Sequence, residues 1–259
     1  MDDTNGRQLR TVETTLEVIR GLQELDGAGV TELADHLERS KASIHHHLST
    51  LRANHFVVSD GDTYRLGLQF ITFGEYVKEQ NALYQAGKDE TDKLAADTGE
   101  YAHLLTEQFG RAIHLYKSQG TNAVGEPYHL KNLQRRDHLH YSAAGKAILA
   151  SLPDERVHAI VDRYGLPDRT EHTITERAEL LAELEVVRRD GYAVNDEEEI
   201  SGLRAVAAPV DPNREDVVGA ISVSGPVSRM KGDRFNETLP ETVTRVANVI
   251  ELNIDTVNQ

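Results

Sequence analysis

Apolar residues along the first part of the chain recur at spacings of three and four. Leu9, Val12, Leu16, Ile19, Leu22 and Leu25 keep that period, which predicts an amphipathic helix over 9–25 that ends at Asp26-Gly27-Ala28-Gly29. A second short helix is predicted over 30–37, with Leu33, Ala34 and Leu37 inward and Thr31 as its N-cap. A tight break falls at Glu38-Arg39. Ser40 then caps a third helix, 41–54, whose Ile44, Leu48 and Leu51 form one apolar stripe and leave Ala42, Ser43, His46 and Thr50 outside. Helix, short turn and polar-faced helix together make a helix-turn-helix. The β-rich runs 56–59 and 63–66 flank an Asp60-Gly61-Asp62 turn, a hairpin signal that supplies a wing.

From Leu68 to about Lys88 the apolar positions Leu68, Ile71, Phe73, Val77, Leu83 and Tyr84 run without proline, so a helix or broken helix should lead to a second domain. The expected division is a winged helix-turn-helix over 1–68, a linker helix over 69–86 and a larger domain over 87–259. That larger part mixes element types. Helices are predicted at 90–97, 143–151, 154–164, 174–190 and 237–256, and strands at 101–107, 112–118, 192–195, 203–210 and 217–223, with a turn at Asp211-Pro212-Asn213. Thr173-Ile174-Thr175-Glu176 reads as a capping box and Gly191 as a helix stop. A strand meander with flanking helices is an α+β domain of the ligand-sensing kind.

A length of 259 residues suits one small and one larger domain. No run of eighteen apolar residues occurs, and the polar, acidic first ten residues lack the regions of a signal peptide, so a cytoplasmic protein with no membrane partner is expected. The chain has no cysteine, which excludes disulfides, cysteine-ligated zinc, iron–sulfur clusters and thiolate nucleophiles. A formal charge of -15 argues against a nucleic-acid partner on average, because lysine and arginine drive phosphate binding. Between His36 and Val58 the balance reverses: Arg39, Lys41 and Arg52 face a single acid, Glu38, and His36, His45, His46, His47 and His55 crowd the same stretch. Only 8 of the 28 basic residues are lysine, and acids are spread over the whole chain, a pattern resembling proteins of salt-loving organisms.

Candidate chemistry is sparse. His45, His46 and His47 are consecutive on a helix and point about 100° apart, so they cannot converge on one metal ion. As exposed imidazoles they can donate to phosphate or to guanine acceptors, and for His47 packing inward beside Leu48 is the competing reading. Ala144-Gly145-Lys146-Ala147 looks like the end of a phosphate loop, but the motif's first glycine would fall at His140 and no hydroxyl residue follows the lysine. Ser142 to Lys146 does form a helix start, whose free amides either attract a carboxylate or are simply capped. Asp196-Glu197-Glu198-Glu199 could pair acids for hydrolysis or hold a divalent ion, yet a solvated loop is the favoured reading. Ser222 and Ser224 share one face of a strand and either hold a polar ligand or satisfy each other. No nucleophile–base pair, metal triad or cofactor loop emerges. No cofactor, metal or enzymatic activity is therefore expected, and the rival class is a metabolite-processing enzyme that uses its N-terminal domain for dimerisation.

The whole chain resembles the IclR family of transcriptional regulators. In the first half the resemblance is carried by 9–16, 30–34, Ser40-Lys41-Ala42-Ser43-Ile44-His45 and Tyr64-Arg65-Leu66-Gly67. In the second it is carried by 139–147, 191–198, Gly202-Leu203-Arg204-Ala205-Val206-Ala207-Ala208-Pro209 and 221–226. The resemblance implies a GAF-like sensor fold, homodimers formed largely through the DNA-binding domains, frequent tetramers, and control of a catabolic operon by a small organic acid or sugar-derived metabolite. The DNA contacts it implies are Ser40, Lys41, Ala42, Ser43, His45, His46 and Thr50 on the third helix, with Arg52 and Arg65 on phosphates of a near-palindromic double-stranded operator. The effector pocket it implies comprises Ser142, Ala143, Ala144, Asn195, Leu203, Ala205, Ser222 and Ser224. Two positions depart from the family: Asn195 stands where aspartate is frequent, and Ala205 where cysteine is frequent, both in the pocket of members that bind small keto acids.

Overall fold

Three helices and a small sheet build the first of two compact units, Met1–Val77 and Lys78–Gln259, in a computed structural model that describes residues 8–124, 137–211 and 219–257. Helix α1 (Arg10–Glu24) buries Thr14, Val18, Gly21 and Leu22. Of the predicted apolar stripe only Leu22 is fully buried, whereas Leu9, Val12 and Leu16 are 66%, 52% and 45% exposed. The face that packs runs through Thr14, Val18, Gly21 and Leu22, where a Cβ at Gly21 would meet Leu33 Cδ1 at 2.7 Å, so the N-terminal part of the stripe is turned outward. Helix α2 (Val30–His36) follows directly on strand β1 (Ala28–Gly29), and its N-cap is Gly29 with no side-chain bond. Thr31 therefore lies inside the first turn and does not cap. Helix α3 (Lys41–Ala53) buries Ile44, Leu48 and Leu51 as predicted, against Val18, Leu22, Leu33 and Val57. Strands β2 (Val57–Asp60) and β3 (Thr63–Leu66) pair antiparallel as the wing, and β1 joins the other edge of β3. A two-residue strand carries no periodicity, which is why the pattern missed it.

Helix α4 (Gln69–Glu79) buries none of its residues, although Phe73 stacks on Phe56 with ring centroids 5.7 Å apart. Asn81 caps the next helix, α5 (Ala82–Thr98), its side chain accepting the Tyr84 N–H at 3.0 Å. The predicted helices over 68–88 and 90–97 are thus redivided at residue 81, because a side chain that satisfies first-turn amides starts a helix more firmly than a change in apolar spacing.

The second unit is a five-stranded antiparallel sheet in the order β5-β4-β8-β7-β6, built from β4 (Tyr101–Gln108), β5 (Arg111–Gln119), β6 (Ala193–Asp196), β7 (Leu203–Val210) and β8 (Gly219–Pro226). Val217 and Val218 of the expected last strand, and Pro212 and Asn213 of the turn before it, lie outside the described residues. Alternation along each strand sends side chains to opposite faces. Leu104, Val206, Ile221 and Val223 pack with Leu83 and Leu94 of α5 and with Val243, Ile250 and Ile254 of the last helix, α9 (Leu239–Val257). Leu105, Ala207 and Ala220 pack on the other face beneath α6 (Ala143–Ser151), α7 (Asp154–Tyr164) and α8 (Arg177–Asp190). Helix α6 offers the small Ala143, Ala144 and Ala147 to this core, and Gly145 makes room for the segment that leads into the helix, since a Cβ there would lie 2.0 Å from the Leu139 carbonyl oxygen.

Helix α8 does not use the predicted capping box. It begins at Arg177 after Glu176, which makes no side-chain cap. Thr173 Oγ1 is committed elsewhere, accepting the N–H groups of Arg169 and Thr170 and donating to the Glu198 carbonyl at 2.6 Å. Gly191 ends α8 at φ 78 as expected. Among the described residues no helix is long and apolar enough to cross a membrane.

Three histidines of this unit are held neutral. Burial lowers His114 to about 4, with Asp137 opposing and Lys117 assisting, and burial beside Arg111 lowers His138 to about 4. Burial also lowers His140, whose ring nitrogen lies 3.0 Å from the Pro167 carbonyl oxygen. Unfolded, each would titrate near the ordinary value of 6.5, so below that pH the unfolded chain binds protons the fold refuses. Their contribution is intact above 6.5 and is lost as the pH falls towards 4. Melting temperature should therefore decline progressively between pH 6.5 and pH 4, and His114→Gln should flatten the decline. A melting temperature that is level across this window for the unsubstituted chain would refute the neutral assignment.

Candidate functional site

The start of α3 is fixed by Ser40, whose Oγ accepts the Ser43 N–H at 3.2 Å. Burying Ile44, Leu48 and Leu51 obliges the rest of the helix to face outward: Lys41, Ala42, His45, His46, Thr50 and Arg52 are exposed and Ser43 is half-buried. Thr50 Oγ1 donates to the His46 carbonyl oxygen of its own helix at 3.0 Å. His47 is half-buried, with Nδ1 2.9 Å from Thr15 Oγ1 of α1, so it belongs with the packing and not with the exposed face. His45 borders an open depression that also holds Glu32, Asp35 and Asp62. Arg52 reaches Ser59 Oγ of the wing at 3.4 Å, and Arg65 is exposed on β3.

The basic stretch is less free than its composition implies. Arg39 donates to both carboxylate oxygens of Glu17 on α1, at 2.9 and 3.2 Å, and His36 Nε2 lies 3.0 Å from Glu24. Acids distant in sequence thus neutralise two of its members. Lys41 and Arg52 remain exposed at opposite ends of α3.

In the second unit a cavity with about 610 Å3 of atom-free space, mouth included, lies between α6 and the sheet. All eight residues of the predicted pocket line it: Ser142, Ala143, Ala144, Asn195, Leu203, Ala205, Ser222 and Ser224. They come together through register. Asn195 pairs with Ala205 and Ala205 with Ser224, while Ser222 pairs with His103 of β4. Above this row stands the first turn of α6. Ser142 Oγ takes the Gly145 N–H at 3.0 Å, which leaves the Ala143 and Ala144 amides without an intrahelical acceptor.

The cavity also contains groups that sequence reading missed. His103 Nε2 lies 2.9 Å from Ser224 Oγ, and the His103 and His114 rings meet edge to face at 5.8 Å. His114 Nδ1 is buried with no hydrogen-bond partner among the described residues. Tyr141 donates to Asp137 Oδ1 at 3.0 Å, and burial beside that acid pushes its phenol well above the usual range. Arg204 lines the cavity while its guanidinium donates to Asp196 and to the Met230 carbonyl. A histidine in the otherwise apolar run of β4 is the one signal that could have flagged His103.

The acidic run is not a solvated loop. Glu198 is buried, and its N–H is held by Asn195 Oδ1 at 2.9 Å. Glu197 accepts the Gly202 N–H at 2.7 Å, and Asp196 binds Arg204. Arg204 and the Gly202 N–H thus engage Asp196 and Glu197, while Asp196 stays exposed. Because Asn195 Oδ1 is engaged, its Nδ2 is the group left to face the cavity. Among the described residues no group of three or more histidine, aspartate or glutamate side chains is placed to hold a metal ion.

Residues 75–252 match the family described as bacterial transcriptional regulator IclR C-terminal, and residues 11–61 match the IclR helix-turn-helix domain. The chain is 39% identical over 251 residues to the "Probable HTH-type transcriptional regulator ArcR" of Halobacterium salinarum, covering 96% of this chain and 95% of that protein. It is 29% identical to the HTH-type transcriptional regulator KdgR of Dickeya chrysanthemi, covering 94% and 80%. Its fold superposes on the crystal structure of an IclR transcriptional regulator from Alicyclobacillus acidocaldarius with a TM-score of 0.78 at 25% identity, covering 96% and 100%. It also superposes, at 18% identity and a TM-score of 0.74, on an IclR homolog from Microbacterium hydrocarbonoxydans complexed with 4-hydroxybenzoate, covering 93% and 99%; at that identity the likeness is one of fold. An α3 with an exposed polar face, a wing, and a cavity beneath α6 thus occur in a chain whose relatives regulate transcription and are not enzymes: the protein belongs to the IclR family of transcriptional regulators.

Proposed function

We propose that α3 reads operator DNA and that the cavity beneath α6 binds the metabolite that controls this reading, with both steps in the cytoplasm. The observation that carries the proposal is convergence. Residues chosen from the α6 start and from three strands, separate in sequence, line one cavity, while the polar face of α3 is exposed. Lys41, Ala42, Ser43, His46 and Thr50 serve the groove, Arg52 and Arg65 the phosphates, and Ser40 acts as the cap that orients the helix start. His45, beside Glu32, Asp35 and Asp62, is the least suited of the set to phosphate.

The working unit is a homodimer, with tetramers as the further assembly of the family. Leu9, Val12 and Leu16 of α1 and Leu68, Ile71, Tyr76 and Val77 in and beside α4 are exposed in the single chain. So much apolar surface on one small unit is what a subunit interface would cover. The domain division that follows is a DNA-binding and dimerising part, the α4 linker, and a sensor part.

The effector is a small carboxylic acid with an oxygen-bearing tail. Its carboxylate meets the Ala143 and Ala144 amides at the positive end of α6, and Asn195 Nδ2, Ser222 and Ser224 address the tail. Ala205 leaves more room than a thiol would. A hydroxylated, sugar-derived acid larger than glyoxylate or pyruvate fits this lining, and control of a catabolic operon follows from such a ligand.

A dimer places two copies of α3 in successive major grooves, so footprinting should reveal a near-palindrome with half-site centres about one helical turn, or a multiple, apart; protection of a single unpaired half-site would contradict it. Lys41→Ala should weaken binding to all sequences alike, whereas Ser43→Ala or His46→Ala should change base preference by roughly 1–3 kcal/mol per lost base contact. Unchanged affinity and preference in all three would mean that another face reads DNA. The dispersed acids repel one another when screening is removed, so melting temperature should be higher in molar KCl than in dilute buffer, and the opposite order would end the salt-adapted reading. Titration calorimetry with two- to six-carbon acids should find a ligand that Ser222→Ala and Asn195→Leu no longer bind while their DNA affinity persists. Parent-like ligand affinity in both variants would remove the pocket assignment.

A further inference from the structure

Two sequence features are left over from the cavity lining: the Gly145-Lys146 pair that imitates a phosphate loop, and the acidic run 196–199, of which only Glu199 lines the cavity. The fold joins them. Lys146 is 1% exposed, and its ammonium lies 2.9 Å from Glu183 Oε1 on α8 and 2.7 Å from Glu198 Oε1. Burial pushes the Glu198 carboxyl up while Lys146 pulls it down, and Glu198 Oε2 is buried without a hydrogen-bond partner among the described residues. A charge removed from water is costly unless its partner is in place, so the buried Lys146 ammonium and Glu198 carboxylate depend on each other, and the half-buried Glu183 adds a second acid.

The consequence is mechanical. Lys146 stands on α6 just after the amides that face the cavity, and its own N–H is bonded to the Ser142 carbonyl at 2.9 Å. Glu198 lies in the segment joining β6 to β7. Asn195 accepts its N–H, Thr173 donates to its carbonyl at 2.6 Å, and Thr170 donates to the neighbouring Glu197 carbonyl at 2.8 Å. On either side of Glu198, Asn195 and Ile200 line the cavity. One ammonium therefore ties the helix that presents the amides to the wall that presents Asn195 and Ile200, with α8 behind both.

We propose that Lys146 is the positioning residue of the cavity: the buried Lys146–Glu198 pair, with the half-buried Glu183 as its second acid, clamps the 195–203 segment against the first turn of α6, and the wall at Ile200 opens when the pair is broken. That the clamp serves effector binding rests on the reading of the cavity as the effector site; the clamp itself does not.

Because the chain has no cysteine, Ile200→Cys places a single thiol on the wall, and its rate of maleimide labelling in the full chain reports opening with no effector present. Adding Lys146→Met and Glu198→Gln, which removes one charge of each sign at similar side-chain volume, should preserve a cooperative melt and accelerate labelling by about tenfold or more, the signature of a local opening. Equal rates in a folded protein overturn the proposal. Should the pair not fold, Glu198→Gln alone is judged by the same criterion. Calorimetry with D-gluconate as probe separates the two readings. No gluconate binding by the parent together with accelerated labelling refutes the hydroxylated-acid assignment and supports the clamp. Gluconate affinity that changes by less than about twofold in the folded charge-removed variant refutes the clamp's role in the site.

Discussion

The close seat of α6 on the sheet is the constraint from which the sensor unit's other features follow. Ala143, Ala144 and Ala147 meet Ala207 and Ala220 across that contact, and Gly145 leaves no room for a Cβ against Leu139. A helix held this near presents its unbonded first amides to whatever lies between it and the strands. Larger side chains there would lift α6 and fill the space that is now cavity. The same closeness buries Lys146 and obliges two acids to come to it, since an unpaired ammonium at that depth is not tolerated.

The DNA-binding unit is governed by a different balance. Its core is small, centred on Val18, Leu22, Leu33, Ile44 and Leu48, and it spends none of Leu9, Val12 or Leu16 on itself. Helix α1 packs by Val18 and Leu22 beside Gly21 and leaves its N-terminal apolar residues outside that core. The chain's acidity acts here too: Glu17 and Glu24 of α1 answer Arg39 and His36, so the positive character of the reading face is carried by the side chains those acids do not reach.

Two buried imidazoles complete the picture of the cavity. His103 and His114 lie edge to face on the strand side, and burial holds His114 without charge. The hydroxyls of Ser142, Ser222 and Ser224 and the Asn195 amide share this lining with the charged side chains Arg204, Asp137 and Glu199.

Periodicity was enough to place the three N-terminal helices, the wing and most of the sensor elements, because spacing of three to four or of two reflects which faces must be buried whatever the partner. The pocket around Ser142, Asn195, Leu203 and Ser222 was legible only through the family resemblance of the blocks that hold these residues. What the sequence could not supply was pairing across distance. That Leu9, Val12 and Leu16 at the start of the α1 stripe face outward depends on which face of α1 meets Leu33. The commitment of Thr173 to the Glu198 carbonyl, the burial of Glu198 within an acidic run, and the neutralisation of Arg39 by Glu17 depend on neighbours brought up by the fold. Strand register, which a shift of one residue would invert, put His103 beside Ser222 and His114 on the same face. Local pattern thus determined the elements and the character of their surfaces, and only the tertiary structure decided which charges meet, because that is settled by distance in space and the sequence records distance along the chain.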